Sequence, residues 1–228
     1  MKCFGGALIL LGMSAAAIGA VDPGAATIPR LEYEPLRPGS YELQRIQRAP
    51  DALLLDTQGR LVHLQPFTRG KITLLTFFYT YCADPLGCPY SHETLRQVRA
   101  GLLKDARLAA ATRFVSVSFD PSNDTPDALA RYAAPYAGDS ALEWRFLTAR
   151  SVPELLPLLA DLGQDVSVQN DSRGRPSRTM HHMLKMFLID SQGLVREIYT
   201  LAFLQPRVLL NDIKTLQLET SRNSIHRG

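Results

Sequence analysis

Five residues separate two cysteines in the segment Tyr79-Thr80-Tyr81-Cys82-Ala83-Asp84-Pro85-Leu86-Gly87-Cys88-Pro89. The Pro and Gly between Cys82 and Cys88 allow the loop to fold back on itself. A disulfide needs Cα atoms within about 7 Å, and a loop of this kind supplies that. A structural disulfide, a redox pair and a thiolate metal site all fit the spacing. Cys88 directly precedes Pro89 and a helical stretch. Backbone N–H groups at a helix N-terminus stabilise a thiolate, so the Cys88 pKa is expected to fall.

The second chemical element is the run Thr179-Met180-His181-His182-Met183-Leu184-Lys185-Met186-Phe187-Leu188-Ile189-Asp190. It places histidines at the mouth of an apolar strand, after a long polar stretch. A lone histidine there would simply bond to backbone. A neutral imidazole joined to two thiolates would make a soft, three-coordinate site suited to Cu(I). His181 and His182 point to opposite sides if the strand has already begun. Met180, Met183 and Met186 carry soft thioethers able to hold Cu(I) transiently, although strand packing is their simpler role. Asp120 and Asp124 shape a turn. Asp120 also falls near the site, because loops after adjacent central strands converge at one end of a sheet. Tyr79 and Tyr81 are expected to wall the site, and His63 and His92 to lie on the surface.

The elements that must hold these residues are legible in the apolar pattern. Residues 52–56 and 61–64 read as a β-hairpin around Thr57-Gln58-Gly59-Arg60. Lys71 to Tyr79 is nearly continuous, apolar and rich in β-branched and aromatic residues, as a buried central strand requires. Ser91 to Leu108 has helical spacing, and Arg113 to Phe119 is a second buried strand. Thr125-Pro126-Asp127 is a helix start, with Thr125 at the N-cap, and that helix should reach about Tyr136. A short strand at 144–147 and a helix from Ser151 to about Leu162 follow, with Pro157 positioned to bend it. Residues 163–179 are expected to form a long loop. A strand from Met183 to Asp190, a return strand to Tyr199 and a helix over 206–218 complete the order. Strands alternating with helices imply an α/β fold with a central mixed sheet flanked by helices and an N-terminal β-hairpin. The order resembles the thioredoxin architecture, in which chemistry sits where the first central strand passes into a helix.

Three segments, YTYCADPLGCP, VSVSFDPSNDTPDALARYA and HHMLKMFLIDSQGLV, occur in the order seen in the Sco/SenC family. The resemblance covers roughly residues 50–218. That family has a cysteine loop ending in Cys-Pro, matched by Cys88-Pro89. Its aspartate turn of the form D-P-x-x-D-T is matched by Asp120 to Thr125. Its histidine, eight residues before the Asp of a final L-I-D turn, is matched by His182 ahead of Asp190, so His182 is preferred to His181. The resemblance implies a thioredoxin-like fold and a copper ligand set of Cys82, Cys88 and His182. Asp120, Tyr81, His181 and Met183 would surround it. It also implies delivery of copper, as Cu(I) or Cu(II), to the copper subunit of a respiratory cytochrome c oxidase or another periplasmic copper protein, or reduction of that centre's cysteines. The family loop usually has three residues between its cysteines. Here Cys82 takes the first position only if the added residues bulge outward.

The alternative is a metal-independent thiol–disulfide oxidoreductase or a peroxidase-like relative, with Cys82 and Cys88 as its redox pair. Thiol exchange needs only access and a thiolate. Enzymes of that kind carry C-x-x-C and a facing cis-proline, and this chain shows neither pattern. A third alternative is a structural or sensory module with a permanent disulfide.

The chain's 228 residues suit one domain with appendages. Its formal charge of +3 is not concentrated in a Lys/Arg stripe, so nucleic-acid binding has no support. Lys2 followed by the uncharged run Phe4 to Ala20 reads as an export signal, with small residues for cleavage at Ala17, Gly19 and Ala20. A retained membrane anchor is the other reading, although the run is short against the roughly 20 residues of a spanning helix. Both readings place the domain in the periplasm or on the outer face of the inner membrane. Cys3 comes too early for lipid attachment. Residues 21–50 read as a linker or surface arm, 51–218 as the domain and 219–228 as a flexible tail.

Overall fold

The computed structural model describes residues 30–136 and 141–225, with side chains through Arg222. The signal or anchor assigned to residues 1–20, including Cys3, lies outside them. Ten strands and five α-helices are described. In chain order the strands are β1 (Gln47–Arg48), β2 (Leu53–Asp56), β3 (Leu61–His63), β4 (Ile72–Phe78), β5 (Thr112–Ser118), β6 (Glu143–Thr148), β7 (Val166–Asn170), β8 (Pro176–His182), β9 (Lys185–Ile189) and β10 (Leu194–Thr200). The helices are α1 (Cys88–Leu102), α2 (Ala106–Ala111), α3 (Pro126–Ala133), α4 (Val152–Asp161) and α5 (Pro206–Ile225).

Eight strands form one mixed sheet in the order β1-β10-β9-β4-β5-β6-β2-β3. β4, β5 and β6 are parallel, and β9 runs antiparallel beside β4. Every residue of β4 and β5 is buried. Both strands are covered on both faces, which is why they read as unbroken apolar runs rather than alternating ones. Leu74, Phe114 and Leu188 pack on one face with Leu95, Val98 and Leu102 of α1 and Leu209, Ile213 and Leu216 of α5. Leu75, Phe77, Val115 and Phe187 pack on the other with Leu129 of α3 and Leu155, Leu158 and Leu159 of α4.

Several boundaries differ from the sequence reading. The helix expected over 91–108 is two helices. Asp105 accepts hydrogen bonds from the backbone N–H groups of Arg107 and Leu108, and this N-cap starts α2 afresh. The arm contributes a strand, since β1 pairs with β10 at the sheet edge. Buried Arg196 holds the arm there by donating to the carbonyls of Leu43 and Gln44, and it also pairs with Asp190 and Glu219. The last helix, expected to end at Leu218, continues to Ile225. Among the described residues, no helix is long and apolar enough to cross a membrane.

The largest correction concerns residues 163–179. The expected loop is a two-stranded hairpin of β7 and β8, with Val166 opposite His182 and Ser167 opposite His181. Its turn is built by Asp171, whose carboxylate accepts from the N–H groups of Arg173 and Arg175, and by Gly174 at φ +73°. Most hairpin residues are exposed, so no apolar alternation announces these strands. His182 is the last residue of β8, so a strand rather than a loop leads into it.

Candidate thiol and metal site

Cys82 and Cys88 meet where β4 passes into α1. The intervening loop folds back through a tight turn, in which the Gly87 N–H donates to the Asp84 carbonyl at 2.9 Å and Pro85 takes the second position. The Asp84 carboxylate also accepts from the Leu86 N–H. Ala83, Asp84 and Pro85 are exposed, so the longer loop does bulge outward. Thr80 anchors the loop's start. Its backbone N–H and hydroxyl both donate to Asp124, which is fully buried and also accepts from the Ser118 hydroxyl at the end of β5. Sequence reasoning gave Asp124 only a turn-shaping role. The available signal was the need of a buried carboxylate for donors, and Thr80 and Ser118 stand at the ends of neighbouring strands.

Both cysteines carry free thiols, Cys82 half-buried and Cys88 fully buried. The Cys88 S–H donates to the Cys82 sulfur, which also accepts from the backbone N–H groups of Cys88 and Asp84. These donors, led by the Cys88 thiol and helped by the His182 charge, outweigh burial and lower the Cys82 pKa to about 6. The Cys88 thiol moves the opposite way, because donating to Cys82 and being buried both favour its protonated form. The expectation of a lowered Cys88 pKa is thus reversed. The first N–H of α1 does stabilise a thiolate at Cys82, while at Cys88 its lowering effect is outweighed by the bond to Cys82 and by burial.

His182 lies near enough to the pair to act on the Cys82 charge. Its ring packs on Phe119 at 4.8 Å and edge-on to Tyr79 at 6.0 Å between centroids, and Nδ1 stands 3.3 Å from the Met180 carbonyl. Buried Tyr79 anchors the hairpin by accepting a hydrogen bond from the Met180 N–H. Tyr81 is exposed beneath the Arg178 guanidinium, which stacks 4.3 Å from its ring centre. Asp120 is buried next to Phe119 and bonded to Asn123, and burial raises its pKa against the opposing Arg178 charge. His181 is exposed on β8. Met183 is 60% exposed, whereas Met186 is fully buried and Met180 packs against the core. Among the described residues, no three His, Cys, Asp or Glu side chains form a group arranged to hold a metal ion.

His63 is exposed and paired with Asp51, but His92, also expected at the surface, is 1% exposed. It sits one turn beyond Cys88 on α1 and faces into the protein, among Phe78, Tyr132, Tyr136, Trp144 and Phe146. Its ring nitrogens meet the Tyr132 and Ser116 hydroxyls, and burial lowers its pKa to about 3.

A mixed sheet flanked by helices, with a thiol pair at the junction of a central parallel strand and its following helix, defines a thioredoxin-like protein. Comparison with known proteins narrows the class. The chain belongs to the SCO1/SenC family, whose model matches residues 48–217. No curated protein sequence matches it. Among solved structures, the chain is similar to ScoI of Bradyrhizobium japonicum with copper bound, at 25% identity and a TM-score of 0.58, covering 73% of this chain and 98% of that one. It is also similar to ScoI of Arabidopsis thaliana with copper bound, at 18% identity and a TM-score of 0.62, covering 75% and 98%. A SCO1/SenC family lipoprotein of Bacillus anthracis is 21% identical, with a TM-score of 0.60 and coverage of 75% and 95%.

Proposed function

We propose that this chain is an exported copper-binding accessory protein that supplies copper to the copper centre of a respiratory oxidase or reduces that centre's cysteines. Cys82, Cys88 and His182 would hold the copper. The observation that carries this reading is the free thiol pair, with its thiolate on half-buried Cys82 and the His182 imidazole acting electrostatically on the same sulfur. Two thiolates and an imidazole form a soft donor set that favours Cu(I) over hard cations. Family membership and the copper-bound structure of a 25% identical relative support it. The three groups are not drawn into a closed cluster, so copper would bind by closing His182 onto the sulfurs as the thiols release their protons. The N-terminal apolar run and the family's lipoprotein member support export to the outer face of the membrane. Cu(I) titration of the reduced protein against a competing chelator is the test. One copper per chain should bind, and Cys88→Ser and His182→Ala should each weaken it. A Cys88→Ser protein that binds as tightly as the unaltered chain would refute the assignment.

The thiol asymmetry favours a second reading, exchange without metal. The Cys82 thiolate would attack a partner's disulfide, releasing one partner thiolate and forming a mixed disulfide. Cys88 would then lose its proton and displace the partner's second sulfur. Two electrons pass to the partner and a Cys82–Cys88 disulfide remains, to be reduced by a dithiol. Reduction of a disulfide-containing peptide at equal rates with and without Cu(I) would favour this reading.

A further inference from the structure

A cleft of about 670 Å³ opens beside the thiol pair, lined by Asp84, Leu86, Gly87, His182, Met183 and Leu201 among others. Of the three methionines in the His182 region, only Met183 is both exposed and part of this cleft. Gly87 forms the wall on the Cys82 side. A Cβ placed on Gly87 would stand 3.0 Å from the Cys82 sulfur, so the residue that lines the cleft is also that sulfur's close neighbour. His182 lines the same cleft.

We infer that Met183 is the first ligand taken up by incoming Cu(I), and that the cleft is the path by which the metal reaches Cys82. This rests on the copper-binding reading above. A thioether is soft and uncharged, so it selects Cu(I) from hard cations yet binds it weakly enough to release it. Exposure puts Met183 within reach of a donor, and the Asp84 carboxylate in the same cleft favours a cation. Transfer is ligand exchange. The donor's ligand leaves as the Met183 sulfur binds, and the Cys82 thiolate then displaces Met183. No electron moves, and the Cys88 proton passes to water when the second sulfur binds.

The test measures the rate and the end point of Cu(I) transfer from its bicinchoninate complex to the full reduced chain. Met183→Leu conserves volume at an exposed position and should leave the fold unchanged. It is expected to slow loading by roughly tenfold, the low end of what losing one metal-site partner costs, with an unchanged end point. Met180→Leu is expected to load at the normal rate. With Ag(I) as an oxidation-resistant stand-in, the Met183 methyl resonance should shift at substoichiometric metal. Normal loading by Met183→Leu would overturn the inference while leaving the copper reading intact. A complete lack of Cu(I) uptake by the unaltered chain would overturn the copper reading itself.

Discussion

Cys88 donates its thiol hydrogen to Cys82, and this one bond assigns different roles to two chemically identical side chains. The half-buried sulfur carries the charge and the buried one keeps the proton. The pair is one acid–base unit in which the accessible member ionises first.

Alkylation should read this order directly. With iodoacetamide, Cys82 should react before Cys88, and its rate should rise as pH passes through about 6, because the thiolate is the nucleophile. Cys88→Ala removes the main stabilising donor, so the midpoint should move up towards the ordinary thiol value of about 8.5. Peptide mapping that finds Cys88 modified first would contradict the assignment.

Gly87→Ala tests how tightly the loop holds the sulfur. The new Cβ would approach the Cys82 Sγ to 3.0 Å and the Asp84 carbonyl to 3.3 Å. The expected cost is about 1–2 kcal/mol for forced repacking, together with a higher alkylation midpoint for Cys82. Denaturant unfolding and the same pH profile measure the two effects.

Asp124→Ala removes the acceptor shared by Thr80 and Ser118. Leaving these buried donors unpaired should cost about 3 kcal/mol, and release of Thr80 should loosen the loop ahead of Cys82. Asp124→Asn keeps an acceptor and should lose less. Unfolding midpoints rank the three proteins.

His92 should set part of the acid limb of stability. Its folded pKa is about 3, below the ordinary 6.5, so between those values the unfolded chain binds a proton that the folded chain excludes. Stability is therefore lost as pH falls through that window, by up to about 1.4 kcal/mol per pH unit from this group. His92→Gln retains a donor and an acceptor for Tyr132 and Ser116 but cannot titrate. Its unfolding free energy should fall less steeply with acid, as denaturant midpoints across the window would show.

The central strands were legible because Ile72–Phe78 and Thr112–Ser118 are buried on both faces and spell that burial as unbroken apolar runs. The β7–β8 hairpin was not, because strands exposed to solvent need no apolar pattern and its turn chemistry, Asp171 to Gly174, resembles that of any polar loop. Cys82, Cys88 and His182 stood out by type and spacing, and the Thr125 cap by its own local bond.

By itself the sequence determined the central strands β4 and β5, the family and where the two cysteines fall between strand and helix, since each is written in short-range spacing. Tertiary structure alone decided which cysteine is charged, that His92 turns inward, and that Met183 reaches the cleft while Met186 stays in the core. Those outcomes depend on burial and on hydrogen-bond direction. Both are set only when segments as distant as Thr80 and Asp124, or Tyr79 and Met180, come into contact.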